Sequence, residues 1–271
     1  MSQTILITGA SSGIGRATAK WFQQEGWNVV ATMRSPEREE ELQQLENVLV
    51  TRLDVQDAES ITAAVQEGLE RFGQLDVLLN NAGYGAYGLL EATPVEKIRR
   101  QFDVNVIGLL ETTQAILPHF RRQGSGTVIN ISSIGGKMTF PLGTLYHGSK
   151  FAVEGLSEAL SFELAAIGVR VKIVEPGMIA TDFGGRSFDL SLDESLTEYQ
   201  EVVSKLLAGF ENVGDNASPP ELVAEVIYRA ATDGTDQLRY TAGPDAKQII
   251  AHRKQADDAT FLAGIREQFG L

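Results

Sequence analysis

Residues 5–15 read Ile5-Leu6-Ile7-Thr8-Gly9-Ala10-Ser11-Ser12-Gly13-Ile14-Gly15. A short apolar run meets three closely spaced glycines, and helical apolar spacing begins over 14–25. That order describes a buried strand, a tight turn and the start of a helix. Glycines let the backbone turn sharply and approach a pyrophosphate, whose charge faces the free N–H groups of the helix start. The spacing Gly9-x3-Gly13-x-Gly15 is not the commoner G-x-G-x-x-G. A nucleoside-triphosphate loop is excluded, because no Gly-Lys-[Ser/Thr] ends the segment. A glycine-rich turn that holds no ligand is the competing reading of these residues alone.

Outward from this turn, apolar β-branched runs alternate with longer amphipathic segments. The runs are Thr4–Thr8, Asn28–Met33, Val48–Leu53, Asp76–Asn80, Thr127–Ser132, Val169–Glu175 and, more weakly, Gln237–Thr241. Helices are expected near 14–25, 37–45, 57–72, 94–122, 144–167, 219–232 and 245–253. Short continuous apolar strands are covered on both faces, so the pattern predicts a doubly wound α/β fold. This is a three-layer Rossmann arrangement with a central parallel sheet of about seven strands. No linker or composition shift divides residues 1–271, which are read as one domain. Its irregular parts are a substrate-loop region near 181–214, with a possible helix at 195–210, and a C-terminal extension near 245–271.

Composition removes several functions. Lys and Arg number 23 against 36 Asp and Glu, a formal charge of −13. No basic face is available for nucleic acid or anionic membrane. With no cysteine and only three histidines (His119, His147 and His252), thiolate chemistry and a metal site are not expected. No run reaches the ~18 apolar residues of a membrane span, and no leader is visible, so a cytoplasmic location is expected.

Further signatures follow the glycine turn in order. Asn80-Asn81-Ala82-Gly83 closes the fourth strand, Asp54-Val55 the third, and Asn105 opens the segment Asn105–Gly108. Ser133 precedes Tyr146 by 13 residues, and Tyr146-His147-Gly148-Ser149-Lys150 contains Tyr-x-x-x-Lys. Pro176-Gly177-Met178-Ile179-Ala180-Thr181 follows the sixth strand. Together with Thr-Gly-x-x-x-Gly-x-Gly, these resemble the short-chain dehydrogenase/reductase family over roughly residues 3–180. The C-terminal third looks most like the subgroup around 17β-hydroxysteroid and retinol dehydrogenases.

Tyr146 and Lys150, one helical turn apart, share a face. An ammonium beside a phenol favours its ionised form, drawing proton transfer towards neutral pH. Ser133, at the carboxyl end of a strand, can donate to a substrate carbonyl oxygen. The resemblance makes Tyr146 the general acid/base and gives Lys150 a second role on the nicotinamide ribose. It also assigns Asn105 a proton-relay water, although an ordinary helix-bend or interhelix hydrogen bond would explain that residue too. Cofactor contacts are expected from Gly9, Ser11, Ser12, Gly13, Ile14, Gly15, Arg34, Asp54, Val55, Asn81, Ala82, Gly83, Tyr146, Lys150, Pro176, Gly177 and Thr181.

The implied activity is NAD(P)(H)-dependent hydride transfer between nicotinamide and a carbonyl or secondary alcohol. NADP(H) is expected over NAD(H), because Met33 stands where NAD-selective relatives carry a carboxylate and Arg34 follows it directly; Ser12, where many NADP-linked relatives carry Arg or Lys, counts against. An apolar substrate is expected from Tyr84, Phe140, Leu142, Met178, Ile179, Phe183 and Phe188. A homodimer or homotetramer is expected through Val104, Ile107, Leu110, Phe151, Val153, Leu156 and Leu160. A non-catalytic dinucleotide sensor and a sugar epimerase or dehydratase are the alternatives. Such sensors typically lose the Tyr or Lys. Such epimerases carry Gly-x-x-Gly-x-x-Gly, which is absent here.

Overall fold

The computed structural model describes residues 2–181, 185, 187–211 and 217–271, residues 209–211 by their backbone alone. Seven strands form a parallel sheet: β1 (Thr4–Ile7), β2 (Asn28–Met33), β3 (Val48–Arg52), β4 (Val77–Asn80), β6 (Gly126–Ile131), β7 (Val169–Pro176) and β9 (Arg239–Ala242). Their order is β3-β2-β1-β4-β6-β7-β9. The chain winds one way from β1 to β3 and the other way from β4 onward. The reversal lies between β1 and β4, the crevice where open α/β sheets collect ligands at their carboxyl ends. All seven expected strands are present.

Apolar side chains alternate to the two faces. On one face, Ile5, Ile7, Val29, Ala31 and Ile129 meet α1 (Gly13–Gln24) and α7 (Pro220–Thr232). On the other, Leu6, Val30, Leu78, Val128 and Val171 meet α2 (Ala58–Phe72), α4 (Gly108–Gln123) and α5 (Thr144–Ala165). Helices α8 (Pro244–Gln255) and α9 (Asp258–Phe269) close a third cluster, with Ile250 and Phe261 against Ile134 and Met138. The C-terminal extension therefore packs on the loop that follows Ser133. Among the described residues no helix is long and apolar enough to cross a membrane.

Three expectations need correction. Residues 37–45 do not form a helix; 3-10 turns at Pro36–Arg38 and Leu42–Gln44 flank Glu39. Glu39 is buried, accepts from the Glu41 and Leu42 amides, and pairs with Arg16 at 2.5 Å, so its side chain turns the chain inward. The segment 94–122 is three pieces: α3 (Val95–Phe102), a π turn (Asp103–Ile107) and α4. Finally, β5 (Gly85–Gly88) and β8 (Phe188–Ser191) pair in parallel as a separate small sheet. Inside the long excursion, the helix expected near 195–210 is α6 (Gln200–Glu211).

Candidate active site

The glycine turn is tied to the β4 loop across the sheet's reversal point. The buried Thr8 hydroxyl accepts from the Asn81 and Ala82 amides at 2.9 and 3.0 Å. The Asn81 side-chain amide donates to the Thr8 and Gly9 carbonyls at 2.9 and 3.1 Å. Gly9 and Gly13 hold φ values of +70° and +53°, a region that favours glycine. A side chain on Gly15 would strike the Gly9 carbonyl. Ser12 takes the N-cap position of α1 without a side-chain capping bond, the first turn carries no acidic side chain, and Ser11 and Ile14 are half-buried beside it. A cradle of glycine backbone ending in an open helix start fits a dinucleotide pyrophosphate.

A side chain on Gly13 would begin only 3.2 Å from Thr181, so the segment after β7 lies against the turn. Asp245, in the first turn of α8, accepts from the Met178 amide at 2.7 Å and fills the space beside Gly177. Sequence reasoning assigned Asp245 no role. Its signal was the Gly243-Pro244-Asp245 helix start, which placed a carboxylate without showing its partner. On the opposite side, Asp54 donates its amide to Ser60 Oγ, and Val55 packs on Gly108 at the start of α4. Arg34 is exposed just beyond the buried Met33.

The π turn places Asn105 between this half and the next. Its carboxamide accepts from the Tyr84 amide at 3.1 Å and donates to the Tyr84 carbonyl and Ser149 Oγ at 2.9 and 3.1 Å. Asn105 Oδ1 also lies 3.2 Å from where a side chain on Gly83 would begin. Ser149 Oγ donates to the Tyr146 carbonyl at 2.7 Å. Contacts thus run without a break from Gly9 through Asn81, Gly83 and Asn105 to the helix of Tyr146. These bonds leave the residue's own helix, so the interhelix hydrogen bond weighed for Asn105 is present.

Tyr146 and Ser133 share a hydrogen bond that favours the phenolate, but burial of Tyr146 outweighs it and pushes the phenol above its ordinary range. Lys150 Nζ donates to the Ile131 carbonyl at 2.9 Å and lies 5.8 Å from the centre of the Tyr146 ring. Burial pulls its ammonium down to about 8, against a smaller opposing pull from Glu154. Desolvation therefore drives both groups towards neutrality. The sequence argument, in which Lys150 lowers the Tyr146 phenol, is reversed by burial. Ser133, not Ser132, meets Tyr146; Ser132 is buried against Gly136, beside Glu154.

His147 is a wall residue. Its Nδ1 bonds the Gly135 carbonyl at 2.9 Å and its Nε2 accepts from the Phe140 amide at 3.0 Å. Burial keeps the imidazole below its usual range, consistent with one nitrogen accepting. Leu142 holds φ +62°, a strained conformation for a bulky residue, and accepts from the Gly88 amide at 2.8 Å. Of the expected apolar lining, Phe188 stacks on Tyr87, while Tyr84 lies under the Arg100 guanidinium. Ile179 leans on the core beneath α1 and α7, and Phe183 lies outside the described residues. Tyr87 was missed.

Residues 3–189 match the family profile for short chain dehydrogenase. An uncharacterized oxidoreductase of Schizosaccharomyces pombe is 49% identical over 239 residues, covering 88% of this chain and all of that protein. Mouse 17-beta-hydroxysteroid dehydrogenase type 1 is 34% identical, over 87% of this chain and 72% of that one. A short-chain dehydrogenase from Streptomyces avermitilis superposes with a TM-score of 0.81 at 32% identity, covering 98% and 96% of the two chains. ElxO, solved with NADP bound, gives 0.73 at 28% identity over 89% and 98%.

Proposed function

Because the chain belongs to the short-chain dehydrogenase family, we propose that it interconverts a hydrophobic ketone and its secondary alcohol at Tyr146, preferring NADP(H) to NAD(H). The observation that carries this reading is the meeting of Tyr146, Ser133 and Lys150 at the end of a contact chain beginning at Gly9. The wider activity, oxidation of CH–OH or reduction of C=O with a nicotinamide cofactor, comes with family membership.

The glycine turn, Thr181 and the Pro176–Gly177 corner would hold the dinucleotide, with Asp54 and Val55 towards its adenine. When bound, the cofactor supplies or accepts the hydride at the substrate carbon. Ser133 donates to the substrate oxygen, and Tyr146, protonated in its dry site, gives that oxygen its proton during reduction. In oxidation the phenolate takes the proton back. Lys150 orients the ribose, and with water at the Asn105 turn it passes the replacement proton inward. Arg34 pairs with a 2′-phosphate, and its exposed position after β2 supports that role. Glu39, a buried carboxylate after β2, is already committed to Arg16.

Phe188, Tyr87 and Leu142 support an apolar substrate. An intact Tyr146–Lys150 pair disfavours a cofactor sensor without chemistry. The test follows NADPH and NADH consumption across ketones graded from charged keto acids to aryl and steroid ketones. Turnover of the hydrophobic members with NADPH is expected. A preference for charged keto acids, or silence across the panel from cofactor-saturated protein, would reject the reading.

A further inference from the structure

Tyr87 was not among the residues the sequence pointed to, yet it occupies the middle of an aromatic column. Its ring stacks on Tyr146 with centroids 5.3 Å apart and planes at 28°, and on Phe188 at 5.0 Å and 28°. His147 meets it edge-on at 6.2 Å, and a side chain on Gly143 would begin only 3.0 Å from it. Each end of the column belongs to a different element. Tyr146 is on α5, Tyr87 on β5, and Phe188 is the first residue of β8.

The backbone around Tyr87 is pinned on both sides. Gly85 donates to the Ser187 carbonyl at 2.9 Å and Leu89 to the Ser191 carbonyl at 3.0 Å, while Gly88 donates to Leu142. Lys97 on α3 holds β8 through Asp189 at 2.5 Å and Ser191 at 3.2 Å. A phenol ring otherwise rotates about two bonds, and the Tyr87 ring, stacked against two others at once, keeps little of that freedom.

We propose that Tyr87 is a positioning residue, whose ring relays the seating of β8 to the Tyr146 ring and holds that ring in the pose that meets Ser133. This rests on the reading of Tyr146 as the acid/base. The flat rings, and not the Tyr87 hydroxyl, carry the effect. The root of the long excursion therefore bears on catalysis through a stack, without touching the substrate oxygen.

The test needs no substrate, so it can fail separately from the proposed activity. Protein labelled with 13C at tyrosine Cζ is titrated by NMR, and Tyr146→Phe assigns one resonance among the six tyrosines. Ser133→Ala alone should raise the Tyr146 titration, because it removes the bond that favours the phenolate. Tyr87→Ala should free the Tyr146 ring from that pose, so that adding Ser133→Ala to it moves the titration by less than half as much. Tyr87→Phe should keep the full Ser133 effect. Phe188→Ala, at the outer end of the column, should reduce that effect by less than Tyr87→Ala does, and serves if Tyr87→Ala misfolds. A Ser133 effect undiminished in the alanine variants overturns the proposal. So does a loss in Tyr87→Phe as large as that in Tyr87→Ala, which would assign the effect to the hydroxyl.

Discussion

Lys150 sits on α5 where burial disfavours its charge, and the protein retains that cost beside the phenol it serves. The ammonium is pulled down to about 8 from an ordinary value near 10.5. A group bound less tightly to its proton in the folded state destabilises the fold wherever it is charged there. The cost is fully present below pH 8. It fades as pH rises towards 10.5, because the folded lysine is then neutral while the unfolded one still holds its proton. Lys150→Met should therefore raise the melting temperature of the ligand-free protein at pH 7, by a margin that shrinks over that window, while turnover is lost. Calorimetric melts at pH 7 and pH 10 check both the sign and the trend. A variant that melts lower at pH 7 would show that the Ile131 bond outweighs desolvation.

At the scale of elements, the five inner ladder strands were legible because each is a short apolar run covered on both faces, while β3 and β9, at the edges, are only partly covered and β9 left the weaker signal. The glycine turn was legible because its φ values and close approaches allow little else. What escaped the sequence shares one cause, partners that are distant along the chain. β5 is four residues bounded by glycines, and its strand character comes from β8 about a hundred residues later. Glu39 turns 36–44 inward by bonding local amides and an arginine on α1, which helical periodicity cannot reveal. The π turn at Asp103–Ile107 divides an apolar pattern that runs on unbroken, since its reason is the Tyr84 peptide that Asn105 must reach. Tyr87 did leave a signal, an aromatic between glycines just after the Asn80–Gly83 loop. The proposed function gives the end of β2 the reading of the cofactor. Removing the Arg34 guanidinium there should raise the KM for NADPH at least ~10-fold, the worth of one charge-assisted contact, and leave that for NADH nearly unchanged. Equal changes for the two cofactors would remove Arg34 from phosphate recognition.

For the whole molecule, subunit contact is an expectation that the surface partly reshapes. Val153 is fully buried and presents no partner surface, whereas Val104 and Leu160 are half-buried and pack on the core with one side only. Ile107 and Phe151 remain 45% and 46% exposed, and Phe162, further along α5, is 78% exposed. Apolar side chains of that size on α5 and the turn before α4 favour association. Light scattering should give two or four times the 29.4 kDa chain mass at micromolar concentration. Phe151→Glu combined with Phe162→Glu should reduce it to one. A wild-type monomer would rule out this interface. The same molecule carries the central claim, that a cofactor cradle and a phenol acid are joined through Asn81, Asn105 and Ser149 for one hydride-and-proton exchange. Tyr146→Phe tests this most directly, with cofactor affinity and single-turnover rate measured on one preparation. NADPH affinity should stay within about twofold, while the reductive rate falls by the ~10²–10⁴ that acid/base catalysis supplies. A rate near that of wild type would contradict the account at its centre.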